Sequence, residues 1–299
     1  MANVNDMMRG IFPVLQSPFG EDDTLDIESL RSQVDFCVER GSHGLVFPVL
    51  ASEFQFLTDA ERRAGVEAVV DANGGRVPVV AGVAGTSTAV AVGYAKHAAG
   101  AGADAVIALP PYVSTASQDE VVDYFRAIAT AAERPVFVQN NPPGVPPASV
   151  ARLIREIENV DYVKEEAPPS AHNISDILEN VQGANVGVFG GASGRWMLSE
   201  LERGASGFMP AAFTVEVYVG IWDAWQGGDS QKARDLFDRL MPLINLTGLL
   251  GISAYKELLV RRGVFPTARM RQPGATRLDQ VDLREIDEVL ARLEPLLQS

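Results

Sequence analysis

Lys164 ends the apolar run Val160-Asp161-Tyr162-Val163, and the rigid pair Pro168-Pro169 follows shortly after it. A lysine at the end of a buried strand loses hydration, which favours its neutral amine over the ammonium. A neutral amine attacks a carbonyl carbon and forms a Schiff base. The competing reading is a strand-end lysine that snorkels to water and pairs with Glu165 or Glu166. The chain has only four lysines, and Lys96, Lys232 and Lys256 fall in patterns expected of solvated helices.

Other chemistry is thinly represented. His43 precedes an apolar run, His97 falls in a helical pattern and His172 opens one, so none reads as a catalytic histidine. No spacing of His, Asp and Glu matches a metal site. The one cysteine, Cys37, permits neither an intrachain disulfide nor a cysteine–zinc cluster, and it is expected as a small buried apolar residue. Gly190-Gly191 reads either as a tight turn or as backbone N–H groups turned toward a carboxylate.

The elements that must position these residues alternate along the chain. Apolar runs at Ile11–Leu15, Gly44–Leu50, Val77–Val80, Ala105–Leu109, Val136–Val138, Val160–Lys164, Val186–Phe189 and Ser206–Met209 read as strands. Each is followed by a helical pattern, the first capped by Asp26 and the second by Thr58 with Glu61 in the capping-box position. The runs are continuous rather than alternating, as strands buried on both faces are. Eight strand-then-helix units predict an α/β fold of (β/α)8 TIM-barrel class, spanning residues 1–228. A doubly wound sheet would want a glycine-rich loop after the first strand, and Gln16-Ser17-Pro18-Phe19 is not one. Residues 229–299 are expected as a C-terminal extension of three helices, near 230–243, 249–262 and 281–297. In such barrels the site lies where strands meet the following loops. Those positions hold Ser17, Ser52-Glu53, Tyr112, Gln139-Asn140-Asn141, Lys164 and Gly191-Ala192, and Lys164 is the only basic side chain among them.

Bulk composition narrows the partners. A net charge of −14 argues against nucleic acid and against an anionic membrane surface. It leaves room for a small anionic substrate, because local fields in a cleft decide that. No run is apolar over the roughly 18 residues of a membrane span. The N-terminus, MANVNDMMRG, lacks a continuous apolar stretch, so no signal peptide is expected and a cytoplasmic location is.

The motifs at the strand ends resemble those of the dihydrodipicolinate synthase / N-acetylneuraminate lyase family. The matching pieces are Gly10–Phe19, Ser52-Glu53 with Leu57–Arg62, Val80–Gly85 and Leu109–Tyr112, then Gln139–Pro142, Val163–Glu165 and Phe189–Gly191. They fall in family order over nearly the whole chain. The resemblance implies that Lys164 forms a Schiff base with a 2-oxo acid, without metal or other cofactor, in a protein that is commonly tetrameric. It implies substrate contacts at Ser17, Ala51, Ser52, Tyr112, Gly191 and Ala192.

The departures from the family pattern carry information. Gln139 stands where the family places a proton-carrying tyrosine, and Leu50-Ala51 replace the usual relay threonines. Pro143-Gly144-Val145, just after Pro142, offers no arginine where the synthase proper carries one, which argues against the synthase proper. This version is similar to the subgroup that dehydrates 2-keto-3-deoxy sugar acids of L-2-keto-3-deoxyarabonate type. An amide exchanges no protons near pH 7, so Gln139 is expected to orient a substrate hydroxyl or a water, with a bound water or Glu166 as base. Two alternatives stay open: a retro-aldolase releasing pyruvate, and a non-catalytic 2-oxo-acid-binding barrel.

Overall fold

A computed structural model describes residues 7–297. The first six residues, part of the stretch read for a leader, lie outside the described residues. The elements in chain order are β1 (Gly10–Ile11), α1 (Ile27–Glu39), β2 (Leu45–Phe47), α2 (Asp59–Asn73), β3 (Val79–Gly82) and α3 (Thr88–Ala101). They continue with β4 (Ala105–Ala108), α4 (Gln118–Ala132), β5 (Val136–Asn140), α5 (Pro147–Glu156), β6 (Val160–Glu165) and α6 (Ser170–Asn180). The last are β7 (Gly187–Gly190), α7 (Met197–Glu202), β8 (Gly207–Phe208), α8 (Val215–Gln226), α9 (Ser230–Leu250), α10 (Ile252–Arg261) and α11 (Gln280–Leu297). Eight parallel strands alternating with helices give the (β/α)8 barrel fold with a C-terminal helical extension.

By internal contacts the chain forms two compact units. The first joins residues 7–10 to Pro78–Met209, and the second joins Ile11–Val77 to residues 210–297. In the first, β3 through β8 pair in sequence order, each parallel to the next. Every residue of β3, β4, β5 and β7 is buried, as strands covered on both faces require. Phe137 stacks on Tyr162 at 4.4 Å between centroids, and Phe189 meets Phe137 edge-on at 5.3 Å. These rings fill the sheet's interior beneath β5, β6 and β7 and hold those strands in fixed register.

In the second unit Val14 bridges both Val46 and Ala211 in parallel fashion. The first strand is therefore shorter than the expected Ile11–Leu15 run, with Pro13 unable to donate to a ladder. The caps at Asp26 and at Thr58 with Glu61 form as expected. Helix α9 departs from expectation. It runs through Pro242 to Leu250 rather than ending near residue 243. Buried Leu240, Leu243, Ile244, Thr247 and Leu250 keep one apolar stripe unbroken across the proline. The extension also overturns a reading of Lys256, which is fully buried rather than solvated. Its position three residues before buried Leu259 places it on the packed stripe of α10.

Candidate active site

The end of β6 holds a buried lysine, Lys164. Strand register sets Gln139 of β5 beside Lys164, and Lys164 beside Phe189 of β7. One step on, Asn140, Glu165 and Gly190 are level. Because successive side chains alternate, Lys164 and Gln139 share one face, and Asn140 and Glu165 share the other. Lys164 is 3% exposed and Gln139 2%. The ammonium does not reach water, but it does pair with a carboxylate: Nζ lies 3.2 Å from Oε2 of Glu166.

Glu166 gathers the site. Its Oε2 also accepts from Nε2 of Gln139 at 2.8 Å, and its Oε1 accepts from the backbone N–H of Ala192 at 3.1 Å. Its own N–H donates to the Asn140 carbonyl at 2.9 Å, which carries the β5–β6 pairing one residue past the strand end. The N–H that meets a carboxylate in this loop is that of Ala192, one residue past Gly190-Gly191, and the carboxylate is the protein's own Glu166. A Cβ on Gly191 would lie 2.4 Å from Cγ of Glu166, so only glycine lets that side chain lie across the loop. Ala192 and Ser193 both have positive φ, which turns the loop inward toward Glu166.

Behind this face lie two buried carboxyls: Glu165, named from the sequence only as a possible partner of Lys164, and Glu200, which sequence reasoning did not single out. Glu165 accepts from Asn140 at 2.7 Å, from the Ala167 N–H at 2.8 Å and from Asn173 at 3.2 Å. Burial still pushes its pKa up to about 7 against those three bonds. Glu200 accepts from the Ser170 hydroxyl at 2.6 Å, and burial raises it to about 7 as well. A signal for Glu200 was present: it sits in Met197-Leu198-Ser199-Glu200-Leu201, on the face that an apolar stripe would claim. Gly190 is pinned beside it, since a Cβ there would lie 2.2 Å from Glu200 Oε2.

The remaining expected positions divide between the two units. Tyr112, in the first, is 37% exposed on the loop after β4. Ser17, Ala51 and Ser52 belong to the second. The Ser17 hydroxyl donates to the Ser52 carbonyl at 2.5 Å, and the Ser52 hydroxyl donates to the Leu15 carbonyl at 2.5 Å. The Ser52 N–H closes a short turn on the Val49 carbonyl at 2.8 Å. Ser17 and Ser52 are fully buried, whereas Ala51 is half-buried. His43 proves to be a packing residue whose Nδ1 accepts from the Ile11 N–H at 3.2 Å. Cys37 is fully buried, and burial pushes its thiol far up. Among the described residues no group of three or more His, Cys, Asp or Glu is placed to hold a metal, and no helix is long and apolar enough to cross a membrane.

A buried lysine and a carboxylate thus meet at the end of a (β/α)8 strand. The chain belongs to the dihydrodipicolinate synthetase family, whose model matches residues 7–292, and it is a lyase of that family. It is 30% identical to an L-2-keto-3-deoxyarabonate dehydratase of Azospirillum brasilense, over 97% of this chain and 96% of that protein. It is 33% identical to a probable 2-dehydro-3-deoxy-D-pentonate aldolase, YjhH, of Escherichia coli K12, over 78% and 80% of the two chains. Among solved structures it superposes on YagE of Escherichia coli K12, a member of the same family in complex with pyruvate. That match has a TM-score of 0.88 and 26% identity, covering 97% of this chain and 99% of the other.

Proposed function

We propose that the protein is a hydro-lyase that dehydrates a 2-keto-3-deoxy sugar acid of L-2-keto-3-deoxyarabonate type through a Schiff base on Lys164. The observation that carries this reading is the Glu166 carboxylate held at once by Lys164, Gln139 and Ala192. The lysine amine adds to the C2 ketone and water is lost, leaving an iminium that acidifies the C3–H bond. Glu166 takes the C3 proton, and the resulting enamine expels the C4 hydroxyl. That hydroxyl leaves as water with the proton Glu166 carried, so one carboxyl serves as base and then acid. Rearrangement of the unsaturated iminium and hydrolysis release a semialdehyde and return the free amine.

The substrate's own carboxylate takes over the Ala192 N–H, which frees Glu166 Oε1 for proton transfer. Gln139 carries no proton; it aims Glu166 and the substrate hydroxyl. We carry the implied contacts at Ser17, Ala51, Ser52, Tyr112 and Gly191 forward as part of this reading. No cofactor enters, since the iminium is the electron sink. Residues 1–228 are assigned as the catalytic domain, and a homotetramer in the cytoplasm is the assembly, checked by light scattering. Likeness to the aldolase YjhH supports a second reading, retro-aldol cleavage to pyruvate, which uses the same Schiff base. Incubation with L-2-keto-3-deoxyarabonate and product identification separates the two: 2-oxoglutarate semialdehyde is the expected product, and pyruvate refutes dehydration.

A further inference from the structure

The mechanism uses Glu166 and leaves the buried carboxyl before it unassigned. Gln139, Lys164 and Glu166 meet on one side of the β5–β6 pair, and their sequence neighbours Asn140, Glu165 and Ala167 meet behind it. Glu165 and Asn140 are fully buried, and all of these residues belong to one compact unit. Glu165 joins two loops there. Its Oε2 accepts from Nδ2 of Asn140 at 2.7 Å, and Asn140 holds Val145 of the β5–α5 loop at both backbone atoms. Nδ2 also donates to the Val145 carbonyl at 3.1 Å, and Oδ1 accepts from the Val145 N–H at 2.7 Å. The other oxygen, Oε1, accepts from the Ala167 N–H at 2.8 Å and from Asn173 at 3.2 Å, while Asn173 also donates to the Ala167 carbonyl at 2.8 Å. Ala167, in the β6–α6 loop, is therefore pinned at both its N–H and its carbonyl. The two loops touch at Gly144, whose φ is 70° and where a Cβ would lie 2.7 Å from that of Ala167. Glu166 is bracketed between these bonds: the Asn140 carbonyl holds its own N–H, and Glu165 holds the next one.

Stability alone does not account for a carboxyl at this place. Burial outweighs its three hydrogen bonds and raises its pKa to about 7, so the ionised form weakens the fold above that pH. An apolar side chain would avoid that cost but would leave three buried donors without an acceptor. What the closed network supplies is a single fixed geometry. We propose that Glu165 is a positioning residue for proton transfer: by joining Asn140 to Ala167 behind the sheet, it fixes Glu166 against Lys164 and Gln139. This rests on the reading of Glu166 as the proton carrier.

The polarity of the network makes the proposal specific. Three donors converge on two oxygens of Glu165, and a carboxyl keeps an acceptor site on each oxygen in either protonation state. A glutamine has one oxygen. In Glu165→Gln, either Asn140 or the pair Ala167 and Asn173 faces an N–H, and the link between the loops opens. Exchanging the groups closes it. In Glu165→Gln with Asn140→Asp, the amide donates to the new carboxylate, and the amide oxygen still accepts from Ala167 and Asn173. The new carboxylate still accepts from the Val145 N–H.

The test is a mutant cycle read in kcat on L-2-keto-3-deoxyarabonate, beside borohydride trapping of pyruvate on Lys164. Glu165→Gln is expected to lower kcat about tenfold or more, because Glu166 shifts out of line, with the saturated trapping rate held. In a Glu166→Gln background the same change costs less than about twofold, since no proton carrier is left to position. The exchanged pair recovers most of the lost kcat, and Asn140→Asp alone behaves like Glu165→Gln. Full kcat in Glu165→Gln overturns the proposal. An equal cost in both backgrounds, or a parallel loss of trapping, marks a merely structural role and overturns it too. If Glu165→Gln does not fold, Asn140→Asp alone is set against the exchanged pair, and equal kcat in the two overturns the proposal. Full turnover in Glu166→Gln overturns the proton-carrier reading beneath it, and no turnover in the wild type overturns the proposed function and this proposal together.

Discussion

In the proposed mechanism Glu166 carries the proton, and two substitutions probe it separately. Glu166→Gln keeps the side chain's size and one acceptor oxygen, enough for the Ala192 N–H, but cannot carry a proton. Its expected cost in kcat is roughly 10²–10⁴-fold, while borohydride still traps a 2-oxo acid on Lys164. Retention of full turnover would remove Glu166 from the mechanism. Gly191→Ala tests the packing instead. The added methyl would meet Glu166 within 2.6 Å and push the carboxylate off Lys164. Steady-state kinetics should show a loss of at least about tenfold, with an unchanged circular dichroism spectrum. The burial of Lys164 at a strand end was legible because it closes an apolar run. The role of Glu166 was only half legible: period-two alternation puts it on the lysine's side, but the inward turn at Ala192 that captures it is a long-range contact.

At the scale of elements, the β5–β6–β7 ladder does two jobs, presenting Gln139 and Lys164 on one face and burying Glu165 beside Glu200 behind it. The buried carboxyls make a prediction with a definite sign. Each has its folded pKa raised from 4.5 to about 7, so the native state holds its proton more tightly than the unfolded chain. The stability this adds is fully present below about 4.5 and is lost as pH rises through about 7. Glu200→Gln keeps an acceptor for Ser170 and removes one of the two titrations. Urea unfolding should show the variant gaining on the wild type between pH 5 and pH 8, by at most about 2–3 kcal/mol. Equal pH dependence in both proteins would contradict the assignment. Strand and helix order was readable because apolar runs and caps are local signals. The length of α9 and the burial of Lys256 were not, because packing of the extension overrides both the Pro242 breaker and the charge.

For the molecule as a whole, the eight-fold alternation of strand and helix was carried by apolar runs and helix caps, and the family resemblance by motifs at the strand ends. What periodicity could not supply is the cost of placing charge inside an acidic chain of net charge −14. The structure meets that cost with closed clusters: Lys164 with Glu166, and Lys256 and Arg271 with Glu53 and Glu61. The second cluster ties the extension to Glu53, the residue that follows the Leu50–Ser52 turn. The central claim is the covalent one. It is tested most directly by adding borohydride during turnover of L-2-keto-3-deoxyarabonate and mapping the modified peptide by mass spectrometry. The account predicts a substrate-dependent adduct on Lys164; no adduct, or an adduct on Lys96, Lys232 or Lys256 in its place, would contradict it.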